Sequence, residues 1–175
     1  MYVMQRNYTD MGRLKAAGAP AEEKRTIVVI VSRSGAERKA EKFKSIIEKN
    51  VALVNAKAPE ETPWEVRFLD NMDAQRTPAD NYMAIYTASL VIAECTEKKK
   101  NVFYMLGLAH AIGRPVCACY EKRSGEKADI PFNVHGRQSM SYSTATTEYQ
   151  EDFGQRIKEW VIKYERNHLH HAPGV

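Results

Sequence analysis

Short, wholly apolar runs alternate along this chain with longer stretches of helical period. Residues 26–31, TIVVIV, are apolar and β-branched from end to end, which marks a strand buried on both faces. After SRSG, Ala36, Ala40, Phe43, Ile46, Ile47 and Val51 recur at three- and four-residue spacing and predict an amphipathic helix. In 64–70, WEVRFLD, apolar Trp64, Val66 and Phe68 alternate with polar neighbours, the signature of a strand with one wet face. Pro78 stands just inside the start of a short helix, TPADNYMAIYTA. A third buried strand follows at 89–94, SLVIAE, and a helix at 101–112 closed by Gly113. PVCACY at 115–120 is a fourth strand and RQSMSYS at 137–143 a weaker fifth. A last helix carries Tyr149, Phe153, Ile157, Trp160, Val161 and Tyr164 on one stripe.

Strands alternating with helices predict an α/β domain with a five-stranded, mainly parallel sheet and helices on both faces. Residues 25–166 form this single domain. Residues 1–24 show no sustained period and are expected as a partly mobile leader, and 167–175 as a disordered tail. Ligands in such folds bind beyond the carboxyl ends of the strands, where the strand order switches. That rule selects the loops Ser32–Gly35, Asp70–Asp73, Glu94–Asn101 and Tyr120–Arg123.

Composition adds limits. The chain has 175 residues, 43% hydrophobic and 27% charged, an ordinary globular balance for one domain. No apolar run approaches the length of a membrane span, so no membrane role is expected. The formal charge of +4 is modest and forms no long basic stripe, so nucleic acid is not indicated as a partner. Cys95, Cys117 and Cys119 are an odd set on apolar strands; reduced thiols in a cytoplasmic setting are expected. The three histidines of the tail read as frayed terminus, so no metal is assigned, and nothing calls for a cofactor.

Several polar groups fall at the selected edge. Ser34 and Gly35 begin a helix, where free backbone N–H groups attract anions. Asn101 suits a helix N-cap after three lysines, and the group could hold a phosphate. Asp70 and Asp73 follow the second strand, Asp80 lies early in the next helix, and Glu94 ends the third strand. Such converging acids suit acid–base work or the binding of sugar hydroxyls. His110 lies in an Ala- and Leu-rich helix and reads as a packed histidine.

The block SLVIAECTEKKKNVFYMLGLAHAIGRPV resembles the signature of nucleoside 2-deoxyribosyltransferase-like proteins, whose fold overlaps that of TIR-like nucleotide-binding domains. The likeness extends over about residues 26 to 163, through IVVIVSRSG, ADNYMAIYTASLVIAE and DIPFNVHGRQSMSY. NVFYxLGLAHAIGRPV is its most specific part. The resemblance implies a flavodoxin-like (Rossmann-like) sheet and a nucleoside or nucleotide ligand. It further implies cleavage or transfer of a ribose–base bond in active members. Those members often build the site between subunits, so a homo-oligomer is also implied.

The family's catalytic glutamate falls here on Met105, and a thioether cannot carry the negative charge that an oxocarbenium-like transition state needs. Asp80 matches a family acid, and Glu94 stands where the family often has aspartate. The resulting expectation is one pocket lined by Ser34, Gly35, Asp70, Asp80, Glu94, Asn101 and Tyr104, with Met105 as an apolar wall. Two roles compete. One is a nucleoside- or nucleotide-binding domain, weak or inactive in catalysis, that senses, sequesters or docks. The other is an N-glycosidase or deoxyribosyltransferase that acts on a nucleoside, nucleotide or NAD, with Asp80 or Glu94 as its relocated acid.

Overall fold

The structure is a computed structural model that describes residues 25–32, 37–70, 78–122 and 139–165. The expected leader and tail, the start of the first helix at Ala36, and Ser34, Gly35 and Asp73 all lie outside the described residues.

Five strands and four helices follow in order: β1 Thr26–Val31, α1 Glu37–Asn55, β2 Glu65–Asp70, α2 Pro78–Thr87, β3 Leu90–Glu94, α3 Lys100–Ala111, β4 Val116–Glu121, β5 Ser139–Tyr142 and α4 Thr147–Tyr164. The sheet order is β2-β1-β3-β4-β5, and every pairing is parallel. This is the flavodoxin-like arrangement. β1 and β3 are buried at every position, as central strands covered on both faces must be. β2, at one edge, alternates exposed and half-buried residues over Glu65–Phe68 and becomes buried at Leu69.

Side-chain alternation divides the apolar interior in two. Ile27, Val29, Leu90, Ile92 and Cys117 face α1 and α4. Val28, Ile30, Val91, Ala93 and Ala118 face α2 and α3. On the first face Phe43, Tyr142 and Phe153 form an aromatic cluster, with ring centroids 5.0 to 5.7 Å apart. Each such buried ring contributes roughly 1.5–3 kcal/mol. α4 approaches α1 closely at Gly154, where an added Cβ would lie 2.1 Å from Asn50 Nδ2. Asn50 itself donates to the Ile46 carbonyl at 2.9 Å, so its amide is held in place. Tyr149, expected on the buried stripe of α4, is instead exposed in the first turn, beyond the sheet-facing part of the helix.

At the amino edge of the sheet, Trp64 Nε1 donates to Glu165 Oε1 at 2.5 Å, and Arg25 joins Glu165 and Glu61. This fastens the end of α4 to the start of the sheet. The other edge is left to the polar groups.

Candidate functional site

The chain leaves β1 toward β2 on one side, while β3 lies on the other. The switch in strand order therefore falls between the carboxyl ends of β1 and β3, the place where folds of this kind bind their ligands. Polar residues end the strands at this edge: Ser32 after β1, Asp70 on β2, Glu94 on β3, Glu121 on β4 and Tyr142 on β5.

Glu94 is the centre of a buried network. Along β3 it shares a face with Leu90 and Ile92, so its carboxyl lies on the α1/α4 side. Its Oε1 accepts three hydrogen bonds: from Thr96 N at 3.1 Å, from the Thr96 hydroxyl, and from the Tyr142 hydroxyl at 3.0 Å. Thr96 Oγ1 in turn accepts from Glu121 N at 2.7 Å. The Glu121 carboxylate takes Thr144 Oγ1 at 3.0 Å on one oxygen and Lys39 Nζ at 2.7 Å on the other. Only 8% of Glu94 is exposed. That burial pushes its carboxyl above the usual carboxylate range; the bonds from Thr96 and Tyr142 oppose the rise, and the nearby Glu121 adds to it. Burial and the Glu94 carboxyl also push the Tyr142 hydroxyl up, so it remains a donor.

Asp70 shares this side of the sheet. It pairs with Lys44 of α1 at 3.3 Å, and the lysine also reaches Glu41 at 3.3 Å and lies over the Phe68 ring. Lys44 is itself buried, so its charge is held close to the Asp70 carboxylate rather than given to solvent.

The other side of the sheet differs. Met105 is 7% exposed and packs with Val102, Leu106 and Ala109 in the α2/α3 core. Cys95 is fully buried here and its thiol is pushed up to about 12, mainly by burial, so it stays protonated and inert. Tyr104 is exposed and its hydroxyl meets that of Tyr82 on α2. Asp80 lines an open groove of about 750 Å³ with Arg67, Phe68, Met83 and Thr87, beside the edge strand.

Asp70 and Glu94 direct their side chains to the α1/α4 side of the sheet, Met105 belongs to the α2/α3 core, Tyr104 is exposed on α3, and Asp80 lines the groove beside β2. The reason is strand alternation: residue 94 repeats the direction of 90 and 92, whereas α2 and α3 cover the opposite face. Asn101 is also corrected. The N-cap of α3 is Lys99, with no side-chain cap bond, and Asn101 lies exposed one turn-step inside the helix. The lysine run reaches this cap through Lys98, which takes the left-handed backbone conformation (φ 48°). Thr96, Glu121, Tyr142, Thr144 and Lys39 were not singled out from sequence. Thr96 and Glu121 do lie within the selected edge loops, which was the available signal.

Among the described residues no group of three or more His, Cys, Asp or Glu could hold a metal ion, and no helix is long and apolar enough to cross a membrane.

No protein-family model matches the chain, and no curated protein matches it. Among solved structures it is similar to the CMP N-glycosidase BcmB of Clostridium botulinum, at 17% identity and a TM-score of 0.47, over 77% of this chain and 98% of that chain.

Proposed function

We propose that the chain is a nucleoside- or nucleotide-binding domain, weak or inactive in cleaving the ribose–base bond, that serves as a sensor, a sequestering protein or a docking module. The observation that carries this reading is Met105. It occupies the position of the catalytic glutamate in the family that the sequence resembles, and it is buried among apolar side chains. Nothing at that point of α3 can stabilise positive charge at an anomeric carbon. The strand switch supports the binding half of the reading. A flavodoxin-like sheet offers a ligand site at the switch between β1 and β3, and buried, hydrogen-bonded polar groups are present there to orient one.

Glu94 favours a second reading. A buried carboxyl with its pKa raised can protonate a departing base, so an N-glycosidase or deoxyribosyltransferase with Glu94 as a relocated general acid is the alternative. Asp80 matches an acid of the family that the sequence resembles but lines an open groove beside the edge strand β2, so it is the weaker of the two candidates for that step.

Incubation with nucleosides, deoxynucleotides and NAD, followed by chromatography for free base, separates the readings. The binding reading expects no turnover by the wild-type chain. The alternative expects slow release that Glu94→Gln removes. Rapid release that survives loss of both Asp80 and Glu94 excludes both assignments of the acid.

A further inference from the structure

Thr96 is more than a neighbour of Glu94. Its backbone N–H donates to Glu94 Oε1 at 3.1 Å, and its hydroxyl donates to the same oxygen. The direction of the second bond is forced. The Glu121 N–H can only donate, and it donates to Thr96 Oγ1 at 2.7 Å. The threonine proton is thereby left to point at Glu94. Oε1 is then an acceptor twice over, and the Tyr142 hydroxyl adds a third donor at 3.0 Å. Oε2 takes no hydrogen bond among the described residues, and it is not one of the sealed polar atoms left without a partner, so it retains a little exposure at the carboxyl edge of the sheet.

We propose that Thr96 is a positioning residue for Glu94: it holds Oε1 as the acceptor, so that Oε2 carries the proton and offers it to an acceptor on the ligand. This rests on the reading of the strand switch as a nucleoside or nucleotide site, and it adds the chemistry of what is recognised there. The group that meets Glu94 is an uncharged hydrogen-bond acceptor: a carbonyl oxygen or ring nitrogen of a base, or a sugar oxygen. A phosphate fits that point less well, because its charge opposes the ionised carboxyl and no cation is bonded to Glu94 among the described residues.

The charged and titratable surroundings agree with this assignment. β4 brings Glu121 and Cys119 toward Glu94, and β5 brings Tyr142. α1 brings Lys39, but its ammonium is committed to Glu121 at 2.7 Å. Lys44, also on α1, is committed to Asp70 of β2 and to Glu41. Among the described residues, Glu94 thus has hydrogen-bond donors on one oxygen and no cation bonded to either.

The test is the titration of Glu94 itself, read by carbon-13 NMR of the full chain labelled at the glutamate side-chain carboxyl. The resonance is assigned by its loss in Glu94→Gln. Removal of a donor from the ionised carboxyl makes it harder to ionise, so Thr96→Val moves the midpoint up by about one pH unit. Thr96→Ser, which keeps the hydroxyl, titrates as wild type. Thr96→Ala carries the same test where the valine variant does not fold. A wild-type midpoint in the valine or alanine variant overturns the proposal.

The four ribonucleosides then serve as probes. Their affinity is expected to fall as pH rises through the wild-type midpoint. In Glu94→Gln, whose amide N–H replaces the acid proton, affinity is retained without that pH dependence. Affinity that rises as Glu94 ionises overturns the donor role. A Thr96-dependent midpoint with no ribonucleoside bound by any variant leaves the clamp standing and overturns the reading of the strand switch.

Discussion

The two faces of the sheet end differently at the same edge. On the α1/α4 side, Glu94, Thr96, Tyr142, Glu121, Thr144 and Lys39 form a connected hydrogen-bond network over an aromatic core. On the α2/α3 side, Met105, Val102, Leu106 and Cys95 carry apolar packing almost to the rim. The strongest motif in the chain lies on the second face, and the buried, hydrogen-bonded polar network lies on the first. A motif that marks a fold does not by itself mark where chemistry is kept. The specific block at residues 101–116 supplies a helix and its stop, while the buried acid at the sheet's carboxyl edge comes from the end of β3.

The comparison breaks first at Met105. If that face is core, Met105→Glu places a carboxyl among apolar side chains and costs roughly 3 kcal/mol or more, read as a lower urea midpoint. It also brings no base release. A stable Met105→Glu chain that cleaves nucleosides would show that the α3 corner is an open active site rather than core.

The opposite face is probed by Gly154→Ala. The new methyl collides with the Asn50 amide, which the Ile46 carbonyl holds in place. Destabilisation of about 1–3 kcal/mol is expected, with the loss read in thermal melting. An unchanged melting curve would mean that α4 can slide away from α1, and that the platform beneath the polar network is less firm than described.

Glu94 itself gives a smaller and pH-dependent effect. Its folded pKa is raised above the ordinary value of 4.5, so the neutral form is the one that favours folding. That contribution is complete below about pH 4.5 and is lost as pH rises through the folded pKa. Glu94→Gln removes the dependence, so the urea midpoint of the variant falls less steeply with pH over that window than the wild-type midpoint. Parallel curves would place Glu94 in water instead of in the network.

The smallest effect is at the rim. Lys39 is half exposed, and its ion pair with Glu121 is screened by solvent. Lys39→Ala is expected to change stability by no more than about 0.5 kcal/mol in denaturant unfolding.

Much of the fold was legible in the sequence. The unbroken apolar runs of β1 and β3 announced strands buried on both faces, the alternation in β2 announced a strand with one wet face, and Gly113, at φ 74°, closed α3 where expected. The site was legible only in part. The edge rule selected the loops that hold Glu94, Thr96 and Glu121, but the partner that completes the network, Tyr142, is 48 residues from Glu94 and joins it only through the pairing of β4 and β5. The grouping of Asp80 with Glu94 was drawn from position along the chain, and such spacing carries no sign for the face of the sheet. That sign comes from alternation within β3 together with the side on which each helix crosses. Asn101 failed for a local reason: α3 begins one residue earlier, without a side-chain cap, so the best capping residue in the segment is not the one at the cap.

The central claim is that the strand switch beside Glu94 binds a nucleoside or nucleotide and leaves it whole. It is tested most directly by equilibrium dialysis of the full chain against labelled ribonucleosides and their 5′-monophosphates, with the retained ligand then run on a chromatograph. The account predicts saturable retention of at least one of them, recovered intact, and weakened at least about tenfold by Glu94→Ala, as for the loss of a good hydrogen bond in a buried site. Free base accumulating in the wild-type sample, or retention indifferent to Glu94, would contradict it.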